Sequence, residues 1–174
     1  MPRVVFVAGM DESGRDTITD MVVEGYRKNI VKIRHIKLKE FGADILKDAL
    51  SIEMGKARDN FYKGIESKIS SALKVGFSII VEGPLTLKTE DGYLPLVPKR
   101  FFESFSPDIF VLFEVPAGKE ANKVDMTQQE INRSYAAMYA SLAGSPLKII
   151  EVRKGGVKKA IKDFTNVIGS FLGR

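Results

Sequence analysis

A chain of 174 residues, 44% apolar and 28% charged, is long enough to bury a sizeable core. It has no cysteine, no tryptophan and a single histidine, His35, which excludes a disulfide framework, thiolate chemistry, cysteine-based zinc sites and multi-histidine metal centres. The formal charge of +5 and pI near 9.3 favour anionic partners such as nucleotides, nucleic acid or acidic proteins, although the cations are dispersed, with short clusters only at 37–39 and 153–159.

Strands and helices alternate along the chain. Residues 3–8 read as a buried strand, and 16–29 as a helix with Ile18, Met21, Val22 and Tyr26 close to one stripe. Residues 30–38 alternate Val31, Ile33 and His35 with charge, the pattern of a partly exposed strand. Helices are predicted over 41–50 and 58–74, the second with Phe61, Ile65, Ile69, Ala72 and Leu73 on one face. Residues 77–81 are wholly apolar, as in a strand buried on both faces of a parallel sheet, and a loop with Gly and Pro follows over 82–98. A short helix at 98–105 and a buried strand at 109–114 come next. The helix predicted over 127–143 carries Ile131, Tyr135, Met138, Tyr139 and Leu142 on one side. After a strand at 147–152, a closing helix at 157–172 turns Val157, Ile161, Phe164, Val167, Ile168 and Phe171 inward.

This alternation predicts a three-layer α/β fold with a parallel, five-stranded sheet and helices on both faces. Ligands of such sheets sit at the carboxyl ends of the strands, so the loops 9–15, 83–98 and 115–129 face the expected site. No stretch approaches the roughly 20 apolar residues of a membrane span. The opening Met1-Pro2-Arg3-Val4 lacks the pattern of a signal peptide, so a cytoplasmic protein with no membrane partner is expected.

The chemistry concentrates in Gly9-Met10-Asp11-Glu12-Ser13-Gly14-Arg15-Asp16-Thr17. Gly9 and Gly14 have the spacing of the G-x-x-x-x-G-K-[ST] loop, whose inward N–H groups and following helix N-terminus hold nucleotide phosphates. Arg15 stands where lysine is expected and Asp16 where the hydroxyl ligand of magnesium is expected. Arg15 can still supply charge, and Asp16 can ligate the metal directly. Against this, Asp11 and Glu12 bring negative charge to the phosphate position, and Asp16 also suits plain stabilisation of the helix dipole. Glu82, at the end of the apolar strand, is placed either to orient a magnesium-bound water or to pair with a nearby cation. Arg133 can reach phosphates across the mouth or be an ordinary surface arginine. His35 reads as a structural or surface residue rather than a base, and Phe101, Phe102 and Phe105 as core.

In order and local motifs the chain resembles the archaeal type of adenylate kinase. The resemblance is carried by the first strand and glycine loop, by 88–95 with Gly92-Tyr93-Leu94-Pro95, and by Pro107-Asp108-Ile109. Asn132-Arg133 ahead of Ala136-Ala137-Met138, and Leu147-Lys148-Ile149-Ile150, also match, with Phe41-Gly42 and Arg58-Asp59 resembling parts of the AMP lobe. It implies transfer of phosphate between ATP and a nucleoside monophosphate, AMP first among them, with Mg2+. Gly9, Ser13, Gly14, Arg15, Asp16, Thr17, Arg58 and Lys88 would then bind nucleotide, Arg15 and Arg133 would act in catalysis, and Asp16 and Glu82 would hold the metal. It also makes a homo-oligomer plausible. The expected layout is one kinase-like domain over 1–174, with a reduced AMP-lobe-like insertion around 39–75 and a shortened lid around 115–129. Departures are clear: Glu82 replaces an aspartate, Pro84 a histidine and Tyr62 an arginine, and the lid stretch offers Lys119 and Lys123 instead of several arginines. These losses keep a second expectation open, a catalytically degenerate homologue serving as a protein- or nucleic-acid-interaction module.

Overall fold

The computed structural model describes residues 1–29, 31–39, 53–118 and 124–172. Five strands form one parallel sheet: β1 (Val4–Gly9), β2 (Ile33–Lys37), β3 (Ser78–Glu82), β6 (Ile109–Glu114) and β7 (Leu147–Glu151), in the order β2-β3-β1-β6-β7. The three central strands are buried along their whole length, which is why they read as unbroken apolar runs. The edge strands β2 and β7 pair on one side only and bury fewer residues, chiefly Ile33, Ile36 and Ile150.

Pleating sends alternate side chains to opposite layers. Phe6, Ile79, Val81, Phe110 and Leu112 pack with α2 (Glu53–Lys74), α3 (Lys99–Ser104) and α4 (Met126–Ala143). Val5, Val7, Ile80, Val111 and Phe113 pack with α1 (Arg15–Lys28) and α5 (Val157–Leu172). Phe102 is the hub of the first layer, with ring centroids 5.0 Å from Phe6, 5.1 Å from Phe110 and 4.5 Å from Tyr139. Phe101, Phe102 and Phe105 are thus core residues, as expected.

Three expectations are corrected. The stretch 82–98 is not all loop: Thr86–Thr89 and Gly92–Pro95 pair as an antiparallel hairpin, β4 and β5, turned at Asp91-Gly92. The buried face of α4 is not the one its large apolar residues suggest. Met138 and Leu142 are exposed by 42% and 49%, whereas Gln129, Asn132, Ala136, Tyr139 and Ala140 face inward. The reason is backbone and polar satisfaction. The Gln129 amide accepts from Val115 N–H at 2.9 Å and donates to its carbonyl at 2.8 Å, and Asn132 accepts from the Thr86 hydroxyl at 3.0 Å. On α5, Phe164 and Ile168 are buried and Ile161, Val167 and Phe171 pack against the core as expected, but Val157 is 40% exposed and Ala160 is buried in its place. The helix expected over 41–50, residues 40–52 of the 39–75 insertion, and Lys119 and Lys123 of the lid stretch lie outside the described residues.

The two faces of α4 should separate in urea denaturation. Met138→Ala and Leu142→Ala are expected to change stability by less than about 0.5 kcal/mol, and Phe102→Ala to cost about 3–5 kcal/mol.

Candidate functional site

The glycine loop leaves the carboxyl end of β1, flanked by β3 and β6. Gly9 has φ +147°, and a Cβ there would lie 2.7 Å from the Phe113 carbonyl oxygen, so only glycine fits against β6. A single 3-10 turn at Asp11–Ser13 follows, and Gly14 at φ +73° redirects the chain into α1. The loop is closed by its own bonds. Ser13 N–H donates to the Met10 carbonyl at 3.1 Å, Gly14 N–H to the Asp11 carbonyl at 3.2 Å, and the buried Ser13 hydroxyl to the Met10 carbonyl at 2.6 Å.

Arg15 does not project into solvent. Its side chain is 1% exposed, and its guanidinium folds back beneath the loop to donate to the Gly9 carbonyl. A buried guanidinium cannot shed its proton, so it must be matched. It donates to Asp11 Oδ1 at 2.8 Å and, through Nε and a terminal nitrogen, to Asp16 Oδ1 at 2.9 and 2.5 Å. Nε also lies 3.5 Å from Glu82 Oε1.

Glu82 is held by sheet register, opposite Val7 of β1 and Lys37 of β2. Its other oxygen shares a 2.7 Å hydrogen bond with His35 Nε2, whose Nδ1 is 3.4 Å from Asp20. The His35 side chain is 6% exposed and anchored between two carboxylates, so it is not a surface residue but a buried part of this network. Lys37 binds Asp20 at 2.7 Å, and Lys39, just past β2, binds Asp11 at 2.9 Å. Asp20, Lys37 and Lys39 were not singled out as site residues from sequence. The one available signal was the short basic cluster at 37–39.

The carboxyls of Asp16 and Glu82 shift in opposite directions. Burial pushes the Glu82 carboxyl above its ordinary range, the neighbouring Asp16 adds to this, and His35 and Arg15 oppose it. Burial alone would raise Asp16 too, but the neighbouring Glu82 and the Arg15 charge carry it below the ordinary range.

The remaining expected residues do not join this cluster. Thr17 is exposed on α1, and the buried hydroxyl is that of Thr19, bonded to the Arg15 carbonyl at 2.8 Å. Arg133 pairs bidentately with buried Glu114, in a separate cleft with Pro116, Gln129 and Glu151. Lys88 ties the hairpin to Asp125, the N-cap of α4, at 2.6 Å. Arg58 lies on α2 near Tyr62 and Tyr139. Beside the loop is a cleft of about 220 Å³ lined by Met10, Asp11, Glu12, Lys39, Pro84 and Gln128, among others.

Asp16 and Glu82 offer the hard oxygen donors that magnesium prefers. Arg15 nevertheless lies between them, and among the described residues no group of three or more His, Asp or Glu side chains is arranged to hold a metal ion. As arranged, the residues do not fit a divalent cation.

The Glu82 shift sets a testable pH dependence. The folded protein holds this proton more tightly than the unfolded chain, so the Glu82 contribution is present below the ordinary carboxylate range and is lost as pH rises through the raised value. Asp16, with its lowered value, has the opposite sense and contributes above that range. Glu82→Gln keeps an acceptor for His35 and removes the titrating carboxyl. In denaturant titrations it is expected to flatten the loss of stability that the wild type shows as pH rises above the ordinary carboxylate range.

No family model matches the chain. It is 27% identical to the adenylate kinase of Methanocaldococcus jannaschii, over 95% of this chain and 98% of that protein. To the adenylate kinase of Pyrococcus horikoshii it is 24% identical, over 97% and 96%. The fold superposes on that of thymidylate kinase from Candida albicans with a TM-score of 0.61 at 11% identity, covering 97% of this chain and 92% of the other. The chain is therefore similar to the archaeal type of adenylate kinase over nearly its full length and carries the fold of the P-loop nucleoside monophosphate kinases.

Proposed function

We propose that the chain is an adenylate-kinase-like nucleotide-binding protein, acting in phosphoryl transfer between ATP and a nucleoside monophosphate. Similarity to kinases supports the broader part, a nucleotide-binding, kinase-like role. The observation that carries the reading is the Gly9–Gly14 loop at the carboxyl end of the central strand, with the N-terminus of α1 and the Arg15 cation directly behind it. A helix N-terminus and a fixed guanidinium are both suited to phosphate oxygens.

The closed loop dictates how a nucleotide enters. Phosphates must compete with Asp11 and Asp16 for Arg15 and must open the bonds from Ser13 and Gly14 to the loop carbonyls. Lys39, 55% exposed beside the cleft, is the cation a phosphate meets first. Phosphoryl transfer depends on positioning and charge neutralisation, so this site is a slow catalyst at best unless further cations are brought to it. In the same reading Arg58 and Arg133 serve acceptor and donor phosphates only after leaving their present surroundings, Arg133 by releasing Glu114. The proposed layout is one kinase-like unit with a reduced acceptor lobe around 39–75 and a short lid around 115–129.

One observation favours a second reading. The charge of Arg15 is matched by Asp11, Asp16 and Glu82, as in a loop that has become structural. A degenerate kinase homologue that acts as a protein- or nucleic-acid-interaction module has no need to expose that charge.

Calorimetric titration of ATP distinguishes the two. The nucleotide reading expects wild-type binding in the micromolar to millimolar range, weakened about tenfold or more by Arg15→Ala. It also expects Asp11→Asn to tighten binding by about threefold or more, since the substitution removes a competitor for Arg15 and a repulsive charge. Failure of the wild type to bind millimolar ATP overturns it and leaves the interaction module.

A further inference from the structure

We propose that Arg15 takes the place of the divalent cation, so that this site excludes magnesium and handles nucleotide without it. The proposal starts from the four carboxylate oxygens of Asp16 and Glu82, each of which has a nitrogen within 4.0 Å. Asp16 Oδ1 accepts from two Arg15 nitrogens at 2.5 and 2.9 Å, and Asp16 Oδ2 lies 4.0 Å from Lys39 Nζ. Glu82 Oε1 lies 3.5 Å from Arg15 Nε, and Glu82 Oε2 is bonded to His35 at 2.7 Å. Asp16 Oδ1 and Glu82 Oε2 are thus hydrogen-bonded, and the remaining oxygen of each carboxylate faces a cation, Lys39 or Arg15.

The substitution at the loop is a coupled one. The lysine and the hydroxyl of the usual pattern have become Arg15-Asp16, and Nε and a terminal nitrogen of Arg15 both donate to the one oxygen Asp16 Oδ1. Guanidinium is planar, stays charged at any accessible pH and matches a carboxylate edge-on, which a lysine cannot do. Its position is fixed from three sides: by the Gly9 carbonyl, by Asp11, and by Glu82 at the end of β3. Magnesium needs near-octahedral oxygen ligands at about 2.0–2.1 Å, which would require this 1%-exposed guanidinium to vacate its place between the carboxylates. A cation and a metal ion cannot share that space.

Two arms test the idea, one of them independent of nucleotide. In the first, Mn2+ is titrated into the protein alone and followed by electron paramagnetic resonance. The samples are wild type, Arg15→Ala and Arg15→Gln, each with and without Glu82→Gln and each checked for folding by circular dichroism. The wild type should bind no ion sensitive to Glu82→Gln at millimolar Mn2+. Each folded Arg15 variant should gain one ion at least about tenfold tighter than background, and lose it with Glu82→Gln. A wild-type ion that Glu82→Gln removes overturns the proposal, as do folded Arg15 variants that gain none.

The second arm rests on the nucleotide reading. Wild-type affinity for ATP should change by about threefold or less when Mg2+ is replaced by EDTA, and a larger loss in EDTA overturns metal independence while leaving nucleotide binding intact. Absence of ATP binding in both buffers overturns the nucleotide reading instead, and the manganese arm then decides whether Arg15 excludes the metal.

Discussion

Everything at the mouth of this sheet depends on one buried guanidinium. Taking Arg15 out of water is unfavourable unless its charge and its N–H groups are matched, and the protein does so with the Gly9 carbonyl, hydrogen bonds to Asp11 and Asp16 and the nearby carboxylate of Glu82. The loop conformation, the first turn of α1 and the end of β3 are thereby tied to a single side chain. Removing it would leave Glu82 buried with fewer countercharges, so loop geometry and carboxylate ionisation are coupled.

The charges are arranged as a chain that crosses three elements. Lys39 meets Asp11, Arg15 meets Asp16 and Glu82, and His35 links Glu82 toward Asp20 and Lys37. Parallel register makes this possible, since it aligns His35 with Ile80 and Lys37 with Glu82 on neighbouring strands. In the proposed function, a phosphate group entering here exchanges one set of anions for another. In that reading the competition for Arg15 sets affinity more than the shape of the cleft does.

Much of the fold was legible because its signals are local and periodic. The apolar runs at the three central strands marked their burial on both faces, and the glycine spacing marked the turn between β1 and α1. The hairpin within 82–98 was missed because its strands are four residues each and its only strong cue is Asp91-Gly92. The face of α4 was misread because hydrophobicity is only one reason to bury a side chain. Gln129 and Asn132 go inward to satisfy Val115 and Thr86, and they rotate Met138 and Leu142 into solvent.

The α/β class, the five parallel strands, the place of the loop at their carboxyl ends and the change from lysine-hydroxyl to Arg15-Asp16 are legible in the chain alone. Those properties follow from residue spacing within one segment. The inward turn of Arg15, the burial of His35 against Glu82 and the engagement of Arg133 by Glu114 emerge once the elements are assembled. Each of those facts is a pairing between residues 19 or more positions apart, or a choice between solvent and interior. Such choices are settled by desolvation and charge balance across the assembled elements, which a linear reading of the chain does not contain.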